Sequence, residues 1–142
     1  MWKKSSINQE EITLLYTSGP LRTFMANLQE VTPEKNYTHK KNVLRMLKKL
    51  LMNHSNLNIL YKTFMGIDLS NDPIIEILSE YFDQGRVQQT SAPPIELMRE
   101  VDIAFFDLLS TGFAEAVQIG VPTLVYNNEF DYEIASDEGK KI

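Results

Sequence analysis

The chain has no cysteine and only two histidines, His39 and His54. Disulfides, thiolate metal sites and a cysteine nucleophile are excluded, and a histidine-rich metal site is not expected. No apolar run approaches the ~20 residues that a membrane-spanning helix needs. The opening Met-Trp-Lys-Lys-Ser-Ser has no apolar segment behind its lysines, so it does not read as a signal peptide. A positive surplus is missing too. The net charge is −5, which argues against a general nucleic-acid binder but leaves a local site for a small anion open. Several motifs are also absent. No Gly-x-Gly-x-x-Gly follows the first apolar run, and there is no Walker-type loop and no Gly-x-Ser-x-Gly elbow. The first run does not end in the acidic pair of a phospho-receiver.

What is present reads as an alternation of strands and helices. Residues 11–16 (Glu-Ile-Thr-Leu-Leu-Tyr) predict a strand closed by Thr17-Ser18-Gly19-Pro20. Residues 21–37 read as a short helix around Phe24, Met25 and Leu28 or as a long loop. Thr38 is a predicted N-cap for a helix reaching about His54. Its apolar face is Val43, Leu44, Leu47, Leu50 and Leu51, and Lys40, Lys41, Arg45, Lys48 and Lys49 form a solvated side. Residues 57–64 predict the second strand. Asp72-Pro73 marks a helix start, and Gly85 its end. Residues 86–90 predict a third strand, Pro93-Pro94 opens a short helix, and residues 102–106 predict a fourth strand. Residues 113–119 predict a helix, and residues 122–126 a fifth strand.

Strict strand–helix alternation implies an α/β three-layer sandwich with a Rossmann-like parallel sheet of five or six strands. The whole chain, 1–142, reads as one domain, with a tail that gives no clear last helix and suggests a piece of a longer protein. In such folds ligands bind beyond the carboxyl ends of the strands.

The segment 101–126 carries the chemistry. A buried strand ends at Asp107, Ser110-Thr111-Gly112 follows, and a helix starts there with Glu115 in its first turns. The unpaired N–H groups and positive end of a helix suit phosphates and hydroxyls. Each residue also has a plain structural reading. Ser110 and Thr111 suit helix capping, Glu115 suits the dipole, Asp107 suits an Asx turn, and Ser18-Gly19 suits a simple turn. Lys62 would then point to solvent.

This segment resembles the C-terminal, donor-binding domain of GT-B glycosyltransferases. It is similar to the CDP-glycerol and poly-glycerophosphate transferases and to related polysaccharide-biosynthesis enzymes. The resemblance implies a nucleotide-sugar-binding half of a cytoplasmic transferase, membrane-associated through the rest of the protein. A separate acceptor-binding domain would complete it. It implies a nucleoside-diphosphate sugar donor, no metal and no further cofactor. By position it implies a diphosphate turn at Ser110 and Thr111, a ribose-binding carboxylate at Glu115, and donor contacts at Asp107, Ser18, Gly19 and Lys62. Arg22 is a weaker candidate. The His-Pro pair that relatives carry after the basic residue is replaced here by Thr63-Phe64. The alternatives are half of a sugar-nucleotide epimerase, a polyol-phosphate transferase half, or a non-catalytic module of the same fold. An epimerase needs acid and base groups at the strand ends, and the linear sequence shows few.

Overall fold

The computed structural model describes residues 11–18, 33–63, 69, 72–107 and 111–126, with the side chains of 33–36 excepted. The order of elements is β1 (Ile12–Thr17), α1 (Pro33–Asn53), β2 (Leu57–Lys62), α2 (Pro73–Asp83), β3 (Val87–Thr90), α3 (Pro94–Met98), β4 (Ile103–Phe106), α4 (Thr111–Ile119) and β5 (Thr123–Val125). The strands form one five-stranded sheet in the order β3-β2-β1-β4-β5. Every neighbouring pair is parallel. The expected Rossmann-like α/β fold is present.

The strand order sets the layers. From β1 to β3 the chain steps outward in one direction, then crosses back to place β4 on the other side of β1. Crossovers of one hand put the helices on opposite faces before and after such a reversal. The packing agrees. Leu14, Tyr16, Ile59, Tyr61, Val87 and Phe105 meet α1 and α2 on one face. Leu15, Leu60, Ala104 and Phe106 meet α3 and α4 on the other. Alternation along each strand divides the two cores. The fully buried Leu44, Leu47, Leu51, Ile74 and Leu78 anchor the first layer. Each such side chain contributes about 1.5–3 kcal/mol by leaving water.

Local signals explain the helix ends. Asp72 caps α2 by accepting from the Ile74 N–H at 3.0 Å, with Pro73 at the first helical position. Gly85 (φ 73°) turns the chain away after α2, and Gly120 (φ 85°) does the same after α4, in the left-handed region that glycine tolerates.

Two expectations for α1 are corrected. The helix begins at Pro33, so Thr38 lies inside it rather than capping it. Proline's fixed φ and missing N–H suit a helix start, and Pro33 outweighs the capping signal at Thr38. Lys40 is not on the solvated side. It is 3% exposed, because the helical stripe of Leu44, Leu47 and Leu51 extends backward through position 40.

Candidate functional site

The order reversal places a topological switch point between β1 and β4, where open α/β sheets take their ligands. Thr17 pairs in register with Lys62 on one side and Phe106 on the other, so these three residues form the carboxyl rim of the sheet. Ser18 and Asp107 each stand one residue further out.

On the α1/α2 face this rim carries a buried polar network. Tyr16, Tyr61 and Asp107 share that face by strand parity. The Tyr16 hydroxyl donates to Asp107 Oδ2 at 2.6 Å, and Ser18 Oγ donates to the same oxygen at 3.0 Å. His39 Nε2 lies 2.9 Å from the Asp107 carbonyl oxygen. A carbonyl only accepts, so Nε2 carries the proton. The His39 ring also meets Tyr126 edge-on at 5.3 Å. Next to this group, Lys40 Nζ donates to Asp72 Oδ2 at 2.8 Å and to the Tyr61 hydroxyl, which itself donates to Asp72 Oδ2 at 2.7 Å. The Tyr16 and Tyr61 rings touch, with centroids 5.3 Å apart.

This environment holds both phenols neutral. Burial raises the Tyr16 pKa well above the usual phenol value, and the charge and hydrogen bond of Asp107 add to it. Burial raises that of Tyr61 as well, followed by the charge and hydrogen bond of Asp72, while a hydrogen bond with Ser18 works the other way. The Tyr16–Tyr61 ring contact joins the two halves, so one chain of contacts runs from Asp107 through Tyr16 to Tyr61, Asp72 and Lys40.

The α3/α4 face of the rim is different. Lys62 is half-buried, and its ammonium donates to the carbonyl oxygens of Thr63 at 2.7 Å and Ser91 at 3.3 Å. Burial lowers its pKa. The Thr17 hydroxyl oxygen is shut off from solvent and has no hydrogen-bond partner among the described residues. Helix α4 starts at Thr111, which is exposed, with the half-buried Glu115 one turn on. Phe113, in its first turn, packs edge-on against Phe106 at 6.1 Å.

The structure therefore brings Ser18, Lys62 and Asp107 to the strand ends and Thr111 and Glu115 to the start of α4. Gly19, Ser110 and Arg22 lie outside the described residues. Sequence reasoning did not single out Tyr16, Thr17, Tyr61 or Asp72 as site groups, and it set His39 and Lys40 aside. It also counted too few acid and base groups at the strand ends, since Asp72, Asp107 and His39 all gather there. Among the described residues, no group of three or more His, Asp or Glu is placed to hold a metal ion. No described helix is long and apolar enough to cross a membrane.

No model of a known protein family matches the chain. No curated protein sequence matches it either. Among solved structures it is similar to a Listeria monocytogenes protein described as a putative UDP-N-acetylglucosamine 2-epimerase, with a TM-score of 0.56 and 18% sequence identity. The match covers 82% of this chain and 28% of that one, so the chain spans under a third of that protein's length. At this identity the likeness shows a shared fold.

Proposed function

We propose that this chain is a nucleotide-sugar-binding domain of a larger cytoplasmic enzyme, most simply the donor-binding half of a glycosyltransferase-like protein. The observation that carries the reading is the switch point. The strand order reverses between β1 and β4, with α4 following β4, and open α/β sheets take their ligands beyond the strand ends at such a point. In this reading Thr111 and the unpaired N–H groups of α4 hold the diphosphate, with Ser110 and Gly19 completing the turn. Glu115 accepts from ribose hydroxyls. Lys62 balances charge on the leaving diphosphate, which is electrostatic stabilisation without a metal. Ser18 and Asp107 shape the floor. An acceptor-binding domain beyond these residues completes the enzyme, and polysaccharide assembly is the proposed setting. The charge balance gives no support to a nucleic-acid partner.

A second reading, half of a sugar-nucleotide epimerase, is favoured by two observations. The fold is shared with a protein described as such an enzyme. Asp107, Asp72 and His39 also gather, buried, around the carboxyl ends of β1, β2 and β4.

Calorimetric titration of the chain with UDP, CDP and GDP tests the shared part of both readings. At least one should bind, and Thr111→Val and Glu115→Gln should each weaken it about fivefold, the worth of one hydrogen bond. Absence of heat with all three would leave a non-catalytic module as the better account. Deuterium appearing on the sugar carbons of a UDP-sugar in heavy water would move the assignment to the epimerase.

A further inference from the structure

The charges of the α1/α2 layer are sorted by helix. The chain carries a net −5, yet no Asp or Glu lies between Glu34 and Asp68, while α2 holds three acids and no base. Lys41, Arg45 and Lys49 recur every fourth residue and so form one row along α1. Arg45 and Lys49 are exposed, and the half-buried Lys41 sets its ammonium over the Tyr37 ring at 5.0 Å. This row lies away from the buried Leu44, Leu47 and Leu51. On α2 the exposed Glu76, Glu80 and Asp83 form a second row, away from the buried Ile74, Leu78 and Tyr81.

The two helices pack against each other on one face of the sheet. Both cross over between parallel strands, so they run in the same direction, and the Lys40–Asp72 pair fixes their relative level. The outer side of the layer is therefore a positive row beside a negative one. Among the described residues, none of these six charged side chains forms an ion pair.

Such a surface is its own complement. A two-fold axis perpendicular to the layer lays α1 of one copy over α2 of another, running in opposite directions. At about 1.5 Å per residue, the basic row is about 12 Å long and the acidic row about 10 Å. Lys41, Arg45 and Lys49 then meet Asp83, Glu80 and Glu76 of the other copy in turn, and the two-fold repeats the set. The arrangement also brings Met52 of one copy level with Ile75 of the other, side chains that are 67% and 42% exposed. An anionic membrane would attract the basic row too, but the acidic row beside it would repel such a surface, whereas a second copy uses both.

We infer that the outer face of the α1/α2 layer is a docking surface for a second copy of this chain, held by reciprocal pairing of the α1 bases with the α2 acids. Two helices side by side present about 500 Å² per copy, which is the low end for a specific interface, so the dimer is weak and depends on charge. The carboxyl ends of the strands lie off this face and stay open in both copies.

Sedimentation velocity of the chain from about 5 to 500 μM tests the inference. A monomer–dimer equilibrium with a Kd of about 50 μM is expected at about 50 mM salt, weakened about tenfold at about 500 mM. Arg45→Glu/Lys49→Glu makes both rows acidic, and Glu76→Lys/Glu80→Lys makes both basic. Each should weaken self-association at least about tenfold, with a melting temperature within about 4 °C of wild type because all four positions are exposed. Mixed in equal amounts, the two variants should form a heterodimer at least as tight as the wild-type dimer, since every reversed row meets its complement. A folding defect in one variant would not be rescued by the other. Wild type that stays monomeric at low salt overturns the assignment, as does a mixture that fails to associate. Unchanged dimerisation in both variants puts the contact elsewhere and overturns it as well. Binding of monomeric wild type to phosphatidylglycerol vesicles, lost in Arg45→Glu/Lys49→Glu, would give the face to a membrane instead.

Discussion

The two faces of the sheet's carboxyl rim use polar groups in opposite ways. On the α1/α2 face, Asp107, Tyr16, Ser18, Tyr61, Asp72 and Lys40 are buried and joined to one another. On the α3/α4 face, among the described residues, the Thr17 hydroxyl has no hydrogen-bond partner and Lys62 no carboxylate, and Thr111 stands exposed. A closed network resists rearrangement, because breaking one link strands a charge or hydroxyl in a dry place. The donors of the α3/α4 face lack such links and contribute little to folding. The difference teaches where to look for structure and where for function, although both groups occupy the same ends of the same strands.

The largest expected effect lies in the closed network. Asp72→Ala removes the partner of the buried Lys40 ammonium and the cap of α2 together. Breaking a buried pair from one side costs about 3–5 kcal/mol, and losing the cap adds about 1. Urea denaturation should show that loss. The double variant Lys40→Met/Asp72→Asn should recover much of it, since it leaves no unpaired charge. If Asp72→Ala proves nearly neutral, the network does not act as a closed unit and the contrast between the faces fails.

Next comes Asp107→Ala. It leaves the Tyr16 hydroxyl buried without its acceptor and should cost about 2 kcal/mol by the same measurement. Tyr16→Phe/Asp107→Asn removes the donor as well and should be milder than Asp107→Ala.

Alkaline pH probes the same face. Tyr16 and Tyr61 have folded pKa values raised by burial and by neighbouring carboxylates, so each binds its proton more tightly when folded than when unfolded. The stability this gives is fully present below the unfolded tyrosine value of about pH 10. It declines as pH rises above that point, by about 1 kcal/mol per tyrosine for each pH unit, until the folded form ionises. Denaturation midpoints measured from pH 9 to 11 should fall more steeply in wild type than in Tyr16→Phe/Tyr61→Phe. Equal slopes would show that the phenols are not held neutral.

Much of this fold was legible because its signals are local. The apolar runs of β1, β2 and β4, the Asp72-Pro73 start of α2, the Pro94 start of α3 and glycines 85 and 120 each act through a few neighbouring residues. Ser18, Lys62 and Asp107 were placed at strand ends by the same logic. The network was not legible, because it is made by contacts between different elements, from 11 residues apart for Tyr61 with Asp72 to 91 for Tyr16 with Asp107. Lys40 did carry a signal. It lies one helical turn before Leu44, on the buried stripe, but its charge suggested solvent. Residue type misled there, while position along the helix did not.

The same substitution at two lysines gives the smallest effect and the sharpest contrast. Lys40→Met leaves Asp72 buried with a lost counter-charge and should cost about 3 kcal/mol. Lys62→Met removes a half-buried cation that meets only carbonyl oxygens, while its stem can be replaced by the methionine side chain on the same apolar strand face. Its effect on unfolding should stay within about 0.5 kcal/mol, and the desolvation that depresses its pKa gives it no stake in the folded state. Binding should rank the two differently, with pyrophosphate affinity falling in Lys62→Met and holding in whatever fraction of Lys40→Met remains folded. If Lys62→Met proves as destabilising as Lys40→Met, its carbonyl contacts are structural and the two faces of the rim do not differ in this way.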